Sequence, residues 1–296
     1  MTNSCTSDTD DSSFESMRTI VKIDSTEIYE TTYNVFSNVD ALMNEWREGS
    51  YLSKVNRMAG VQSVNCPNEL CIQMERAIDI SKQTQGAFDP SWAAVWELWD
   101  FSKPSVPNKD EVQKRLPLID WSKIEVSENT IYLQEKGMLV GLGGFAKGVA
   151  LDLSDRQLQN EGFTDYMIQI GGQIFARGKP RNIGIRKPDG FPGEIIGTVK
   201  LINGSISTSG DYEKFFIHDG IRYHHIIDPS TGYPARGLRS VTVLSMNASE
   251  GDALSTALFV MGLDRGMSFI ESKKDTEALF IDDKGEIFTS TGFNLN

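Results

Sequence analysis

The residue best suited to proton chemistry is His225. The chain has three histidines, and two of them stand together as His224-His225. Histidine is the side chain most easily tuned as a base near neutral pH. The run after it, Asp228-Pro229-Ser230-Thr231-Gly232, reads as a turn, which places His225 at a strand end, where catalytic groups often sit. A purely structural histidine is the other reading.

Asp252 and Thr256 are four residues apart in an apolar segment read as a helix over residues 251–261. That spacing puts both side chains on one face. A carboxylate and a hydroxyl are hard oxygen donors, better matched to Mg²⁺ than to zinc. Alternatively, Asp252 stabilises a helix N-terminus and Thr256 is simply packed. Upstream, Leu142-Gly143-Gly144-Phe145-Ala146-Lys147-Gly148 enters a second helix through glycines. Exposed backbone N–H groups and the Lys147 charge suit an anion. The spacing is neither a Walker A loop nor a dinucleotide fingerprint, so a tight helix–strand corner also explains it. Gly171-Gly172 marks close backbone approach after a strand. Gly86-Ala87-Phe88-Asp89-Pro90 is a turn whose Phe–Asp pair could grip a ring and its polar edge, or serve only as a turn.

These residues need elements to hold them. Residues 17–34 alternate and are rich in β-formers, so a strand is expected. Helices are expected over 35–46 and 71–85, with Gly86 as C-cap. Trp92, Trp96 and Trp99 fall on one helix face, which points to core packing. A short surface helix is expected over 110–116 and a strand pair over 124–133. A helix comes next over 143–160, then a strand over 164–175 broken at Gly171-Gly172. Short strands are expected at 183–185, 197–201 and 240–244, and a closing hairpin over 279–288. Strands and helices do not alternate regularly, so the fold class is α+β.

Composition sets bounds. The 296 residues, 39% hydrophobic and 24% charged, can bury a sizeable core. A net charge of −12 argues against a general nucleic-acid binder, while leaving room for a local basic pocket. Three cysteines, Cys5, Cys66 and Cys71, give neither a disulfide framework nor a zinc pattern; Cys66 and Cys71 are expected as buried free thiols. No apolar run is long enough to span a membrane, and no signal peptide is in view. Residues 1–16 are polar and read as a disordered tether, leaving 17–296 as the folded domain. Cys5 at its head is either incidental or the lipidated cysteine of a membrane-anchored protein.

Taken in order, these segments resemble the ApbE family, the bacterial FAD:protein FMN transferases. The matching residues are Ser50-Tyr51-Leu52-Ser53-Lys54-Val55-Asn56, Thr84 to Pro90, Leu142 to Gly148 with Asp152, Gly171-Gly172, Thr208 to Tyr212, His225 to Pro234, and Asp252 to Thr256. The resemblance implies a single α+β domain with mixed or antiparallel sheets and packed helices. It implies an enzyme that binds FAD and Mg²⁺, cleaves the pyrophosphate, moves FMN onto a threonine or serine of a target flavoprotein, and releases AMP. Metal ligands are then implied at Asp252, Thr256 and the Gly144 carbonyl, and the family histidine at His225. Flavin contacts are implied at Ala87, Phe88, Asp89 and Lys147. Trp46 stands where the family often has a tyrosine, and its indole could stack on a ring. An extracytoplasmic, lipid-anchored placement is also implied, with a cytoplasmic one left open. An FAD pyrophosphatase and a non-catalytic FAD-binding protein are the alternative readings. The chain departs from the family pattern at three places: Gly141 and Gln173 stand where acids are usual, and Arg18 where glycine is usual.

Overall fold

The computed structural model describes residues 12–296 except Pro192, so Cys5 and most of the expected tether lie outside the described residues. The chain opens with a hairpin of β1 (Ser13–Ser16) and β2 (Thr19–Ile23). Helices α1 (Tyr29–Met43) and α2 (Tyr51–Arg57), strand β3 (Val64–Asn65) and helix α3 (Asn68–Gln83) come after it. A 3-10 helix, Pro90–Leu98, leads to α4 (Lys109–Arg115), the hairpin β4 (Ile124–Ser127) and β5 (Thr130–Leu133), and helix α5 (Ala146–Asn160). Next come β6 (Tyr166–Ile170), β7 (Gln173–Arg177), β8 (Arg181–Arg186), β9 (Ile195–Leu201), β10 (Gly204–Gly210), β11 (Phe215–His218) and β12 (Ile221–His224). The chain closes with β13 (Leu238–Ser245), α6 (Ala248–Met261), α7 (Leu263–Glu271), β14 (Thr276–Asp282) and β15 (Ile287–Thr289).

Eight strands form the main sheet in the order β1-β2-β6-β7-β10-β13-β14-β15. Every pairing in it is antiparallel. The fold is therefore α+β, as expected. Side chains alternate across the pleat, so β13 and β14 feed two cores. Val241, Val243, Ala278 and Phe280 face Leu254, Leu258 and Phe259 of α6. On the other face, Ile206, Leu279 and Ile281 meet Ile185, Val199 and Leu201 of the β8–β9 hairpin. A larger core joins Phe36 and Val39 of α1, Val149 and Leu151 of α5, and Val21, Ile168 and Ile170 of the sheet.

Four local expectations are corrected. The first strand stops at Ile23 and α1 starts at Tyr29. The helical spacing is Ile28, Thr32, Phe36, Val39 and Met43, all buried; a threonine in a core slot hid it among β-formers. Within the span expected as tether, Ser13–Ser16 instead pairs with β2, because Phe14 buries its ring against Phe36 at 5.7 Å. At the end of α3, Gln85 and Gly86 both take positive φ (53° and 79°), and Gly86 N–H closes on Ser81 O at 2.8 Å. The glycine thus lies one residue beyond the left-handed cap position. The tryptophans ride on a 3-10 helix. Trp99 is buried in a core with Val95, Phe216 and Ile227, and Trp92 packs against that core, while Trp92 and Trp96 also line a cavity.

The β1–β2 turn consists of Met17 (φ 49°) and Arg18 (φ 62°). Two positive φ angles match the strand twist of a tight hairpin, and Arg18 holds such an angle without glycine's freedom. Cys66 and Cys71 are buried and free, as expected, with Sγ atoms 2.9 Å apart. Burial, with the neighbouring thiol second, pushes Cys66 up to about 12. Among the described residues no helix is long and apolar enough to cross a membrane.

Candidate active site

The motif residues first build a frame. Ser50 caps α2 by accepting from Ser53 N–H at 3.0 Å, and its hydroxyl donates to Asn44 O at 2.6 Å. Asn56 binds Val140 in both directions, Nδ2 to the carbonyl at 2.9 Å and Oδ1 from the amide at 2.8 Å. The Ser-x-x-Ser-x-x-Asn run thus ties the loop carrying Glu45 and Trp46 to the segment entering the Gly141–Gly144 turn. Thr84 does the same for the next motif: its hydroxyl donates to Ile80 O at 2.8 Å and accepts from Phe88 N–H at 3.2 Å.

Helices α5 and α6 bring the two oxygen-rich segments together. Asp152 on α5 accepts from the first amides of α6, Ala248 at 2.7 Å and Ser249 at 3.0 Å. It serves as the cap that the N-cap residue Asn247 does not supply. The helices touch backbone to backbone at Gly148, where a Cβ would lie 2.3 Å from Ala248 O. Asp252 sits a full turn inside α6, so it is not a helix-terminal acid. It is 1% exposed. Its Oδ1 accepts from Gln173 Nε2 at 2.8 Å, and its Oδ2 accepts from Gly148 N–H at 3.2 Å. Lys147 Nζ lies 3.7 Å from that second oxygen and donates to Gly143 O at 2.5 Å. Burial raises the Asp252 carboxyl above its ordinary range, against the pull of Lys147 and these donors.

Thr256 lies one turn further along α6, with its hydroxyl 3.3 Å from Ser209 Oγ on β10. A side-chain carbon at Gly144 would lie 3.1 Å from Thr256 Oγ1, so glycine lets the turn come up to the threonine. Among the described residues no three His, Cys, Asp or Glu side chains are placed to share a metal. What converges here is one carboxylate with neutral oxygens. That set fits Mg²⁺, which takes few protein ligands and keeps waters or phosphate oxygens, and does not fit a nitrogen- and sulfur-seeking metal.

His225 comes directly after β12 and is held by its amide, which donates to Lys214 O at 3.0 Å. The Asp228–Gly232 turn anchors the chain on the far side of the histidine: Ser230 N–H donates to Asp228 Oδ1 at 2.8 Å, and Trp99 Nε1 donates to Gly232 O at 3.0 Å. His225 Nδ1 is buried and has no hydrogen-bond partner. Burial first, then the Lys214 and Lys147 charges, pull the imidazole down from 6.5 to about 4. It is therefore neutral at neutral pH, with a lone pair available. Its neighbour His224 is structural: it is 3% exposed, and its Nε2 pairs with Ala235 O at 2.9 Å.

The metal-ligand, histidine and flavin-contact positions that the resemblance implied, with Trp46, line one cavity of about 480 Å³: Trp46, Ala87, Phe88, Asp89, Gly144, Lys147, His225, Asp252 and Thr256. Asp89 reaches it with its carboxylate already engaged. Oδ1 accepts from Ser91 N–H and Oγ–H, and Oδ2 accepts from Trp121 N–H. The aromatic wall is broader than expected, since Trp96 stands 5.9 Å from Trp46 and 5.1 Å from Trp92 between ring centroids. Sequence reasoning assigned Trp92 and Trp96 to core packing and so missed that both line the cavity, although Trp92 does pack against a core as well. It also missed Glu45 and Lys214; the one hint was an acid beside Trp46 in a chain lacking the acid expected at 141.

A cavity of this volume with an aromatic wall, a buried carboxylate and a lysine suits a phosphate-bearing ring compound. Comparison with known proteins gives the class and then the family. The FAD:protein FMN transferase of Treponema pallidum is 30% identical over 286 residues, covering 89% of this chain and 79% of that protein. The FAD:protein FMN transferase of Vibrio cholerae is 31% identical, covering 88% and 81%. The crystal structure of the ApbE protein of Thermotoga maritima superposes with a TM-score of 0.86 at 30% identity, covering 94% of this chain and 96% of that one. The ApbE family pattern itself matches residues 17–280, and the chain belongs to the ApbE family.

Proposed function

We propose that the protein is a Mg²⁺-dependent FAD:protein FMN transferase that modifies a threonine or serine of a target flavoprotein. The observation that carries this reading is the meeting of Asp252 and Thr256 with the Gly144 turn and Lys147, in a cavity that also holds His225 and an indole wall. In the reaction, the acceptor hydroxyl oxygen bonds to the FMN phosphorus as the bond from that phosphorus to the anhydride oxygen breaks. AMP leaves with the electron pair, and the acceptor proton passes to His225. Asp252, Thr256 and the Gly144 carbonyl are the residues that would hold Mg²⁺, which when bound neutralises charge on the pyrophosphate. Lys147 adds a fixed positive charge beside the same turn. The neutral imidazole of His225 has the protonation state a base requires. Trp46, Trp92 and Trp96 offer flat faces for a ring, and Ala87 and Phe88 line the same cavity, with the Phe88 ring beside Gly144.

The test is incubation with FAD, Mg²⁺ and a flavoprotein domain carrying an acceptor threonine. A covalently fluorescent acceptor with AMP released is the expected result. Free FMN with AMP would make the protein a pyrophosphatase, and intact retained FAD a binding protein; either outcome overturns the proposal.

A further inference from the structure

Position 141 is glycine, and the space a side chain would fill there is occupied. A Cβ at Gly141 would lie 2.9 Å from Glu45 Oε1, 3.1 Å from Ala93 Cβ and 3.2 Å from Trp92 Cζ2. Glu45 comes from the loop after α1, in a different part of the chain, and lines the cavity. Its Oε1 is shut off from solvent and has no hydrogen-bond partner. Leaving a buried carboxyl oxygen unsatisfied is unfavourable, and this one sits beside the Trp92 ring at the cavity wall. The terminal torsion of glutamate is broad, so the carboxyl plane can turn in place to meet a donor, and Glu45 already lines the cavity.

We propose that Glu45 is the ring-recognising carboxylate of this site, taking the place of a side chain at position 141 and accepting from an N–H donor of a heterocycle bound against the tryptophans. The inference rests on the reading of the cavity as a site for FAD, which carries two such rings. The imide N–H of the isoalloxazine and the amine of the adenine are the candidate donors, and they share the same chemistry. Gly141 is the complement of Glu45: glycine leaves room for the carboxyl, its nearest neighbour, and for Ala93 and the Trp92 ring beside it. Desolvation by burial, which dominates the opposing backbone amides of Leu142 and Gly143, raises the Glu45 carboxyl to about 7, the behaviour of an acid awaiting a partner.

The experiment measures binding of FMN and of ADP separately, by calorimetry with Mg²⁺ present, to wild type, Glu45→Ala, Glu45→Gln, Gly141→Asp and the double variant Glu45→Ala/Gly141→Asp. Glu45→Ala should weaken one probe tenfold or more and leave the other within about twofold. Glu45→Gln, which keeps the volume, should weaken the same probe less. Gly141→Asp alone should weaken binding through collision with Glu45, and the double variant should recover affinity to within about threefold of wild type. Loss confined to FMN identifies the flavin edge; loss confined to ADP identifies the adenine edge. Equal loss of both probes, no loss of either, or no recovery in the double variant overturns the assignment and leaves the reading of the cavity standing. A wild type that binds neither probe nor FAD overturns both.

Discussion

Gln173 donates its amide N–H to Asp252 Oδ1 across 2.8 Å, joining the first residue of β7 to the middle of α6. A neutral amide thus faces Asp252, and it supports the buried charge where an acid would oppose it. Removing it leaves Asp252 short of one donor. Gln173→Ala should lower stability by about 1–3 kcal/mol, read as a fall in Tm of roughly 2–4 °C per kcal/mol for a chain of this size. An unchanged Tm would mean that the amide contributes nothing to holding Asp252.

Asp252→Asn keeps the shape of the side chain and removes its charge. The folded protein should remain, and Mg²⁺ should no longer raise its Tm. FMN transfer should fall by roughly 10³-fold or more, the scale expected when the main charged metal ligand is lost. Thermal shift with and without the cation, beside the transfer assay, separates these effects.

His225→Ala should lower kcat by roughly 10²- to 10⁴-fold while leaving FAD affinity within a few-fold. The pH profile gives a second readout. With the imidazole pulled from 6.5 to about 4 by burial, the base loses its lone pair only below that range. The acid limb of kcat/KM should therefore fall near 4, and a limb near 6.5 would point to a different base.

Much of this site was legible because its turns are encoded locally. Gly143-Gly144, Gly171-Gly172 and the Asp228–Gly232 turn each announce a backbone shape in a few residues, and their order carries the resemblance. Glu45 was not legible, because its meaning depends on the missing side chain at Gly141, far along the chain, whose place its carboxyl takes. The roles of Trp92 and Trp96 were hidden for a related reason: residue type and spacing report that a face is apolar, and not whether protein or ligand covers it. The beginning of α1 was misread because β-branched and aromatic residues there favour strand locally, while packing of Ile28, Thr32 and Phe36 decides for helix.

Glu45 also predicts a pH dependence of stability. Its carboxyl is raised by burial from 4.5 to about 7, so the folded chain holds that proton more tightly than the unfolded chain. Stability at this residue is therefore greatest at low pH and is lost as pH rises from 4.5 through about 7. Glu45→Gln removes the titration. The Tm of the variant minus that of wild type should grow between about pH 5 and about pH 8, and a constant difference would contradict the burial of this group.

Gly148→Ala tests the crossing of α5 and α6. A Cβ there would lie 2.3 Å from Ala248 O and 2.5 Å from Ser249 Cα, and backbone cannot swing aside as a side chain does. The substitution should cost about 1–3 kcal/mol and should weaken Mg²⁺ binding, since Gly144 and Lys147 shift away from Asp252 and Thr256. Denaturant unfolding and a Mg²⁺ titration measure the two consequences.

That crossing also governs when the site can first exist. Gly144 and Lys147 leave the ribosome about a hundred residues ahead of Asp252 and Thr256, and folding is expected to follow the order of synthesis only where contacts are local. A growing chain that stops after β10 carries the lysine and the glycine turn with no acid from α6 to face them. A chain that stops before α6 therefore has no reduced version of this cluster, because Asp252 and Thr256 both come from that one helix.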